Sequence, residues 1–453
     1  MSAAKNDHTN VFNTLNELIK TALDAGAADA MIAYSTSVGK SSSVRFGNVE
    51  AKESGESSDI SITIFSGSAT DGFSVGSRDI SLPLSRLDDI KEAVLLTVDD
   101  AKTAPVLPFA GILERKHIPA EYPTVKTKAG KGVLTWDQLT ELALVAEKPA
   151  LKSMGSKTKN HITNVDSAGA EQSFYNLYML GSNGFKGTYS RTTTGVSVAL
   201  IAEKGDQKQI DGEYKSAASL SVKDAQKIGR TAVKNTRSKL DPKPAMEGQF
   251  PILFDRPVAV NLISAFTGAI NGGAVIRNST FLKDKMDQQV FSESVTIIAD
   301  PLLKNGVNSR PFTEEGVPSK TTTLVENGVL KSWILGLRSA RELELEPTGH
   351  GGNLYMKPGA LSRKELIATV QDGFFVRETM GHGVNTVTGD FSLAASGSWI
   401  KNGKLSHAVE SATISGNMKD MFMNITPAND INLAKPDKAT MIPTLRIDGM
   451  TIR

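Results

Sequence analysis

The chain is expected to fold as an α+β protein, with an N-terminal α/β sandwich-like domain over residues 1–240 and a C-terminal, β-rich, barrel-like domain over 249–453. Three observations predict this. Helix and strand periodicities follow one another in the first half in the order helix, strands, helix. The segment KLDPKPAMEG (239–248), with two prolines, breaks both periodicities and reads as a linker. Beyond it the chain splits into short β-patterned runs, two of them hinged on Asn-Gly (Asn327-Gly328 and Asn402-Gly403), the strongest short-range hairpin signal. A length of 453 residues also exceeds what one hydrophobic core usually serves.

In chain order, Val11, Leu15, Leu18, Ile19 and Ala22 share one helical face, which Gly26 ends. Ala30–Ser35 is a strand, and two short strands flank Gly47-Asn48 as a hairpin. Asp59–Phe65 alternates strictly and turns at Gly67-Ser68 into a partner strand reaching Val75. Leu84–Ala101 is a helix facing the core with Leu87, Ile90, Ala93, Val94 and Val98. Residues 103–133 are rich in Pro, Lys and Gly and form an extended surface connection. The helix Trp136–Lys148, strands Gln172–Leu180 and Thr194–Ala202, and the helix Val222–Ser238 complete the first domain. The second has strands at Val295–Ile298, Thr321–Glu326, Val329–Leu335, Asp390–Leu393 and Ser398–Ile400, and one helix at Ser362–Gln371.

The second domain opens on the stretch FPILFDRPVAVNLISAFTGAINGGAVIRNSTFL (250–282). A strand, Phe250–Phe254, leads to Asp255 as a helix cap, with Pro257 in the first turn where its missing N–H costs nothing. Val258, Leu262, Ala265, Phe266 and Ala269 fall on one face, and Asn271-Gly272-Gly273 ends the run. No charge occurs between Arg256 and Arg277, so the helix is expected to be covered on most sides. Its less apolar side carries Asn261, Ser264 and Thr267, none of which titrates near neutrality or readily binds zinc.

Composition narrows the classes. A formal net charge of +2 with interspersed signs lacks the basic stripe that nucleic acid requires, so no nucleic-acid partner is expected. The absence of cysteine removes disulfides, thiolate nucleophiles and Cys-ligated zinc. No apolar run reaches membrane-spanning length and the first twenty residues lack a signal-peptide core, so no membrane partner and a cytoplasmic location are expected.

A hydrolytic zinc helix needs two imidazoles one turn apart with a glutamate between them. None of His8, His117, His161, His350, His382 and His407 is followed by Glu, and no two are one helical turn apart. His350, His382 and His407 could meet only through the fold, and ordinary loop or core roles are favoured for them. Gly72-Phe73-Ser74-Val75-Gly76 matches a nucleophile elbow, but Ser74 falls inside a strand with no helix after it. Two Gly-His-Gly loops, Gly349–Asn353 and Gly381–Asn385, lack phosphate-loop spacing. Backbone conformation is the favoured reason for their glycines. As groove-lining loops they would offer His350, Asn353, His382 and Asn385. Glu314, Glu315, Asp372, Glu378 and Asp390 are scattered, with no pair evident for acid–base work. No catalytic and no metal-binding residue is therefore assigned.

Several stretches together carry a likeness: VRFGNVE (44–50), GSNGF (181–185), INGGAVIRNSTFL (270–282), RPFTEEGV (310–317), TGHGGN (348–353), GHGVNTVTGDFSLAASGSWIKNG (381–403) and HAVESATISGNMKDMF (407–422). In order and content the chain resembles the TldD/PmbA family, in its TldE branch, over nearly its whole length. The resemblance implies an N-terminal α/β domain, a barrel-like C-terminal domain, and membership of a cytoplasmic metalloprotease built from two related subunits. It also carries the family label "modulator of DNA gyrase". In the family the TldD subunit bears a His-Glu-x-x-x-His helix and a downstream cysteine as its zinc site. The corresponding helix here, Val258–Ile270, has no histidine, glutamate or cysteine to match. The implied reading is a non-catalytic subunit holding no cofactor. It would pair with a zinc-bearing TldD-like subunit to process unfolded peptides, or form a homodimer when alone. The competing readings are a metallopeptidase with a non-standard site of its own and a free-standing peptide-binding scaffold.

Overall fold

A computed structural model describes residues 2–68, 70–126, 133–154, 161–349 and 351–453, with side chains from His8 onward. The first half builds a seven-stranded sheet with helices on one face. Helix α1 (Ser2–Asp24) is followed by β1 (Asp29–Arg45), β2 (Asn48–Ser68), β3 (Gly72–Ile80), α2 (Leu87–Thr103) and β4 (Val106–Leu107). Then come α3 (Trp136–Met154), β5 (Ile162–Gly181), β6 (Lys186–Lys204), β7 (Gln207–Ala217) and α4 (Val222–Arg237). The strand order is β4-β3-β2-β1-β5-β6-β7, antiparallel throughout.

Strand alternation decides which layer each side chain joins. Ile32 and Tyr34 of β1, Ile60, Ile62 and Ile64 of β2, and Tyr178 of β5 meet Leu15, Leu18, Val94 and Val98 of α1 and α2. Further along the same face, Val44, Ala168, Val196 and Val198 meet α3 and α4. The opposite face, with Met31, Leu177 and Met179, receives the second half of the chain.

The strands are longer than the sequence patterns suggest. β1 runs unbroken from Asp29 to Arg45, where two shorter pieces were expected, and its turn to β2 uses Phe46 and Gly47, both with positive φ (52° and 77°). A buried carboxylate fixes that turn. Glu147 of α3 is fully buried and accepts the backbone N–H of Phe46 (2.6 Å) and of Gly47 (2.9 Å). α3 itself continues past Lys148 through Pro149, and α4 crosses it closely at Gly229, where a Cβ would lie 1.9 Å from the Ala146 carbonyl oxygen.

The second half begins with β8 (Gly248–Phe254), α5 (Arg256–Ala269) and α6 (Gly272–Ile276). There follow β9 (Ile297–Asp300), β10 (Thr322–Glu326), β11 (Val329–Leu330), α7 (Leu337–Glu342), β12 (Asn353–Met356), α8 (Arg363–Ala368), β13 (Asp372–Met380), β14 (Asp390–Lys401) and β15 (Lys404–Asn417). The last elements are α9 (Met418–Met423), β16 (Ile425–Pro427), β17 (Thr440–Met441) and β18 (Leu445–Ile452). One five-stranded sheet has the order β11-β10-β9-β12-β17. The other runs β15-β14-β13-β8-β18-β16, and β18 also pairs with β15, closing a five-stranded barrel. One core joins both sheets to the buried face of α5.

The halves meet through Phe312, in RPFTEEGV. Its ring lies edge-on to Tyr122, Phe185 and Tyr189, with centroids 5.6, 5.1 and 5.5 Å away, beneath the open face of the seven-stranded sheet. Gly187 makes room for it: a Cβ there would lie 2.5 Å from the Phe312 ring. Burial pushes the Tyr122 hydroxyl up to about 12, so it stays a donor, to the Gly316 carbonyl at 2.8 Å. No helix among the described residues is long and apolar enough to cross a membrane.

Candidate functional site

α5 is capped as its sequence suggests, with the Asp255 side chain accepting the Arg256 N–H at 2.8 Å. Val258, Ala259, Leu262, Ile263, Phe266 and Ala269 are buried, and Phe266 stands edge-on to Phe291, which stacks on Phe422 at 4.4 Å. The helix is covered on most of its circumference. Pro257, Asn261, Ser264 and Gly268 form the narrow exposed stripe, at helical spacing.

That stripe is chemically quiet. The Ser264 hydroxyl donates to the Val260 carbonyl at 2.8 Å, and the Thr267 hydroxyl beside it to the Ser264 carbonyl at 3.0 Å. Each is satisfied by its own helix. Asn271 does the same one element later, its side chain accepting the Gly273 N–H at 3.0 Å as the cap of α6.

Charge gathers instead at the start of the helix. Asp255 pairs with Arg363 at 2.6 Å, Arg363 with Asp430 at 2.8 Å, and Arg256 with Asp437 at 2.9 Å. Burial alone would raise the Asp430 carboxyl. The Arg363 charge and the two Thr444 bonds outweigh it and hold the group below the ordinary carboxylate value. Burial likewise favours the ion-free form of Arg256, but its bonds and charge pairing with Asp437 keep it firmly protonated.

Among the described residues, the histidines and carboxylates singled out from sequence form no metal-holding cluster. Asn353 is 1 % exposed: its amide donates to the Asp300 carbonyl (3.1 Å) and the Ser309 hydroxyl (2.8 Å), and its oxygen accepts the Asn308 N–H (3.0 Å). It has little left to offer a ligand, in keeping with a structural role for this loop. Asn385 uses its side-chain oxygen to accept the N–H groups of Val387 and Thr388 and shapes the 385–389 turn, leaving only its amide N–H2 outward. His382 is exposed in the loop that β13 leads into. His350 lies outside the described residues. His407 sits on β15 beside Ala408, whose partner Ser398 is four places along β14 from Ala394, the partner of Met380. Burial, then the charges of Lys243 and Lys401, lower its pKa.

The remaining candidates also have structural partners. Ser74 is buried in β3, paired with Ser66. Glu314 meets Arg310, Glu315 accepts the Leu337 N–H, Asp372 accepts the Trp399 indole N–H, Glu378 pairs with Lys239, and Asp390 bonds Thr388 and Asn417. Sequence reasoning missed the Asp255–Arg363–Asp430 and Arg256–Asp437 pairs, whose members stand too far apart along the chain to form a pattern. From sequence alone Asp255 reads only as a cap.

Residues 134–240 match the PmbA/TldA metallopeptidase central domain, and 247–453 match the PmbA/TldA metallopeptidase C-terminal domain. Metalloprotease PmbA of Escherichia coli O157:H7 is 32 % identical over 446 residues, covering 96 % of both chains. In structure the chain is similar to a protein of Bacteroides thetaiotaomicron whose name ties it to modulation of DNA gyrase. The TM-score is 0.84 at 23 % identity, over 97 % of this chain and 98 % of that one. It is also similar to TldE from Thermococcus kodakarensis, with a TM-score of 0.81 at 18 % identity, over 97 % and 99 %. These two likenesses speak for the fold.

The name metalloprotease implies a metal, and the exposed stripe of α5 does not fit one. Zinc takes imidazole, thiolate or carboxylate, and the stripe offers a proline, an amide, a self-bonded hydroxyl and a glycine. Among the described residues no three His, Asp or Glu side chains gather to hold an ion. With its central and C-terminal domains matched and a relative of 32 % identity spanning nearly all of it, the chain belongs to the PmbA/TldD metallopeptidase family.

Proposed function

We propose that this chain is the non-hydrolytic subunit of a two-subunit metalloprotease, working in the cytoplasm beside a TldD-like chain that carries the zinc. Together the two would enclose a space in which unfolded peptides are cut. The observation that carries the reading is the outward stripe of α5, Asn261, Ser264 and Gly268, on a metallopeptidase-family scaffold. The helix is capped and buried on most of its circumference, yet its exposed stripe presents nothing that ligates zinc or moves a proton near neutral pH. Left alone, the chain is expected to form a twofold homodimer through the surface it would give its partner. His382 and the outward amide of Asn385 remain candidates to face the shared space, being the loop groups that the fold leaves open.

The test is co-expression with a TldD-like chain, followed by measurement of assembly size, zinc content and cleavage of an unfolded polypeptide. The expected outcome is a mixed complex with zinc only in the TldD-like chain, which cleaves, while this chain alone does not. Stoichiometric zinc in the isolated chain, with partner-free cleavage that His382→Ala abolishes, would replace this reading with that of a self-sufficient peptidase.

A further inference from the structure

A charged groove runs between the two halves of the molecule, along the outer side of β7. Its main part, about 850 Å3, is lined by Glu213 and Tyr214 of β7, by α4, by the start of α5 and by Asp437 and Lys438. A second part of about 280 Å3 continues it past Lys215 and Asp224 to Ser219, with Lys435 and Pro436 opposite. β7 is the end strand of its sheet, paired among the described residues only with β6. Side chains already occupy one stretch of its backbone: Lys239, Thr236 and Asn235 donate to the carbonyls of Ile210, Asp211 and Gly212. From Glu213 to Ser216 the only hydrogen bonds of the backbone among the described residues are those to β6. An open strand edge is a template for a further strand.

The charges in the groove do not cancel. Asp211, Asp224, Asp255, Glu378, Asp430 and Asp437 each have a cationic partner within the molecule. Glu213 is the exception. Burial pushes its carboxyl up, toward the neutral form, with Lys438 the strongest opposing influence. On the other side of the balance, Lys227, Lys234, Lys435 and Lys438 have no ion pair among the described residues. Lys227 and Lys234 share one side of α4, and Lys435 and Lys438 face them from the C-terminal half. Tyr214, 48 % exposed, adds an apolar surface to the same groove.

We infer that this groove binds an extended peptide carrying acidic side chains, which adds a strand to the Glu213–Ser216 edge and sets its carboxylates among Lys227, Lys234, Lys435 and Lys438. Main-chain pairing holds any sequence, and the lysines select the acidic one. The inference deepens the subunit reading by naming a class of peptide, but it concerns the isolated chain. Loss of peptide binding would refute the groove alone, whereas failure to assemble with a TldD-like chain would refute the subunit reading alone.

The experiment is fluorescence anisotropy of the full chain with a labelled octapeptide alternating Glu and Val, acetylated and amidated at its ends. The same measurement is made with its Gln counterpart, with the Gln peptide bearing a free C-terminal carboxylate, and with the Glu peptide N-methylated at alternate residues. The Glu peptide is expected to bind at least tenfold tighter than either Gln peptide and to weaken as salt rises. The double variant Lys234→Glu/Lys438→Glu, whose fold is checked by circular dichroism, is expected to lose at least tenfold, and N-methylation to cost a similar factor. Equal binding of the Glu and Gln peptides, or an unaffected charge-reversal variant, would overturn the lysine assignment. A free-terminus Gln peptide that matches the Glu peptide would overturn the choice of side-chain carboxylates, and indifference to N-methylation would overturn the added strand.

Discussion

If α5 has the frame of a metal-bearing helix and lacks only the ligands, two substitutions should supply the minimum. Ser264 and Gly268 are exposed, one turn apart, and apart from its chain neighbours and the helix's own backbone nothing lies within 4 Å of where a Cβ on Gly268 would sit. In the variant Ser264→His/Gly268→His the two Cβ atoms would be ~6 Å apart on one side of the helix, the usual arrangement for a two-imidazole zinc site. The lost Ser264 hydroxyl bonds only its own helix, and replacing a helical glycine is itself slightly favourable, so the double variant should fold. Zinc at about 100 times its dissociation constant should then add about 2.7 kcal/mol to unfolding free energy, because the pair exists only in the folded helix. Urea unfolding with and without zinc measures this at pH 7, and the gain should vanish near pH 5 as the imidazoles protonate. The single variants and the parent should respond far less. A folded double variant indifferent to zinc, or a parent chain stabilised equally, would refute the claim that this stripe differs from a metal site only in its side chains.

Other perturbations test the scaffold around it. Glu147→Gln replaces one acceptor of the Phe46 and Gly47 N–H groups with a donor, and should cost about 1.5–3 kcal/mol, seen in urea unfolding and in faster amide exchange at those two residues. Phe312→Ala empties the aromatic pocket beneath the sheet and should cost about 3–5 kcal/mol, with the two halves beginning to unfold in separate steps by calorimetry; an unchanged single transition would deny Phe312 its joining role. Because the folded Asp430 carboxyl lies below its unfolded value, its contribution is complete above about pH 4 and is lost as pH falls through the folded value. Asp430→Asn should therefore be less stable than the parent at neutral pH and flatten the acid limb of the stability curve, which denaturant titrations between pH 2 and 7 would measure.

Local patterns revealed the parts of the fold that local physics decides. The alternation of Asp59–Phe65 is legible because Ile60, Ile62 and Ile64 are buried against helices while their neighbours are not. β7, QKQIDGEYKSA, was not legible: it has few strand-forming apolar residues and is a strand because β6 templates it. α3 was expected to stop at Lys148, short of Pro149, yet packing against Gly229 of α4 carries it on to Met154. In the candidate site, the emptiness of α5 could be read from residue types alone. The roles of Asn353 and Asn385 could not, since an asparagine aimed at a ligand and one aimed at its own backbone look alike in sequence. The groove along β7 left no trace either, because its walls come from segments about two hundred residues apart.

The closing of the barrel by β18 has a consequence for biosynthesis. β18 fills the gap between β8 and β15, so β8, which pairs with β13 on its other side, waits for this second partner until synthesis has passed Leu445. Throughout that wait Leu262 and Phe266 of α5 lack their final cover, whereas the seven-stranded sheet is already complete. A nascent chain stalled before Leu445 should thus be a half-built molecule with a finished front and a sticky rear, the form in which a chaperone would first encounter it.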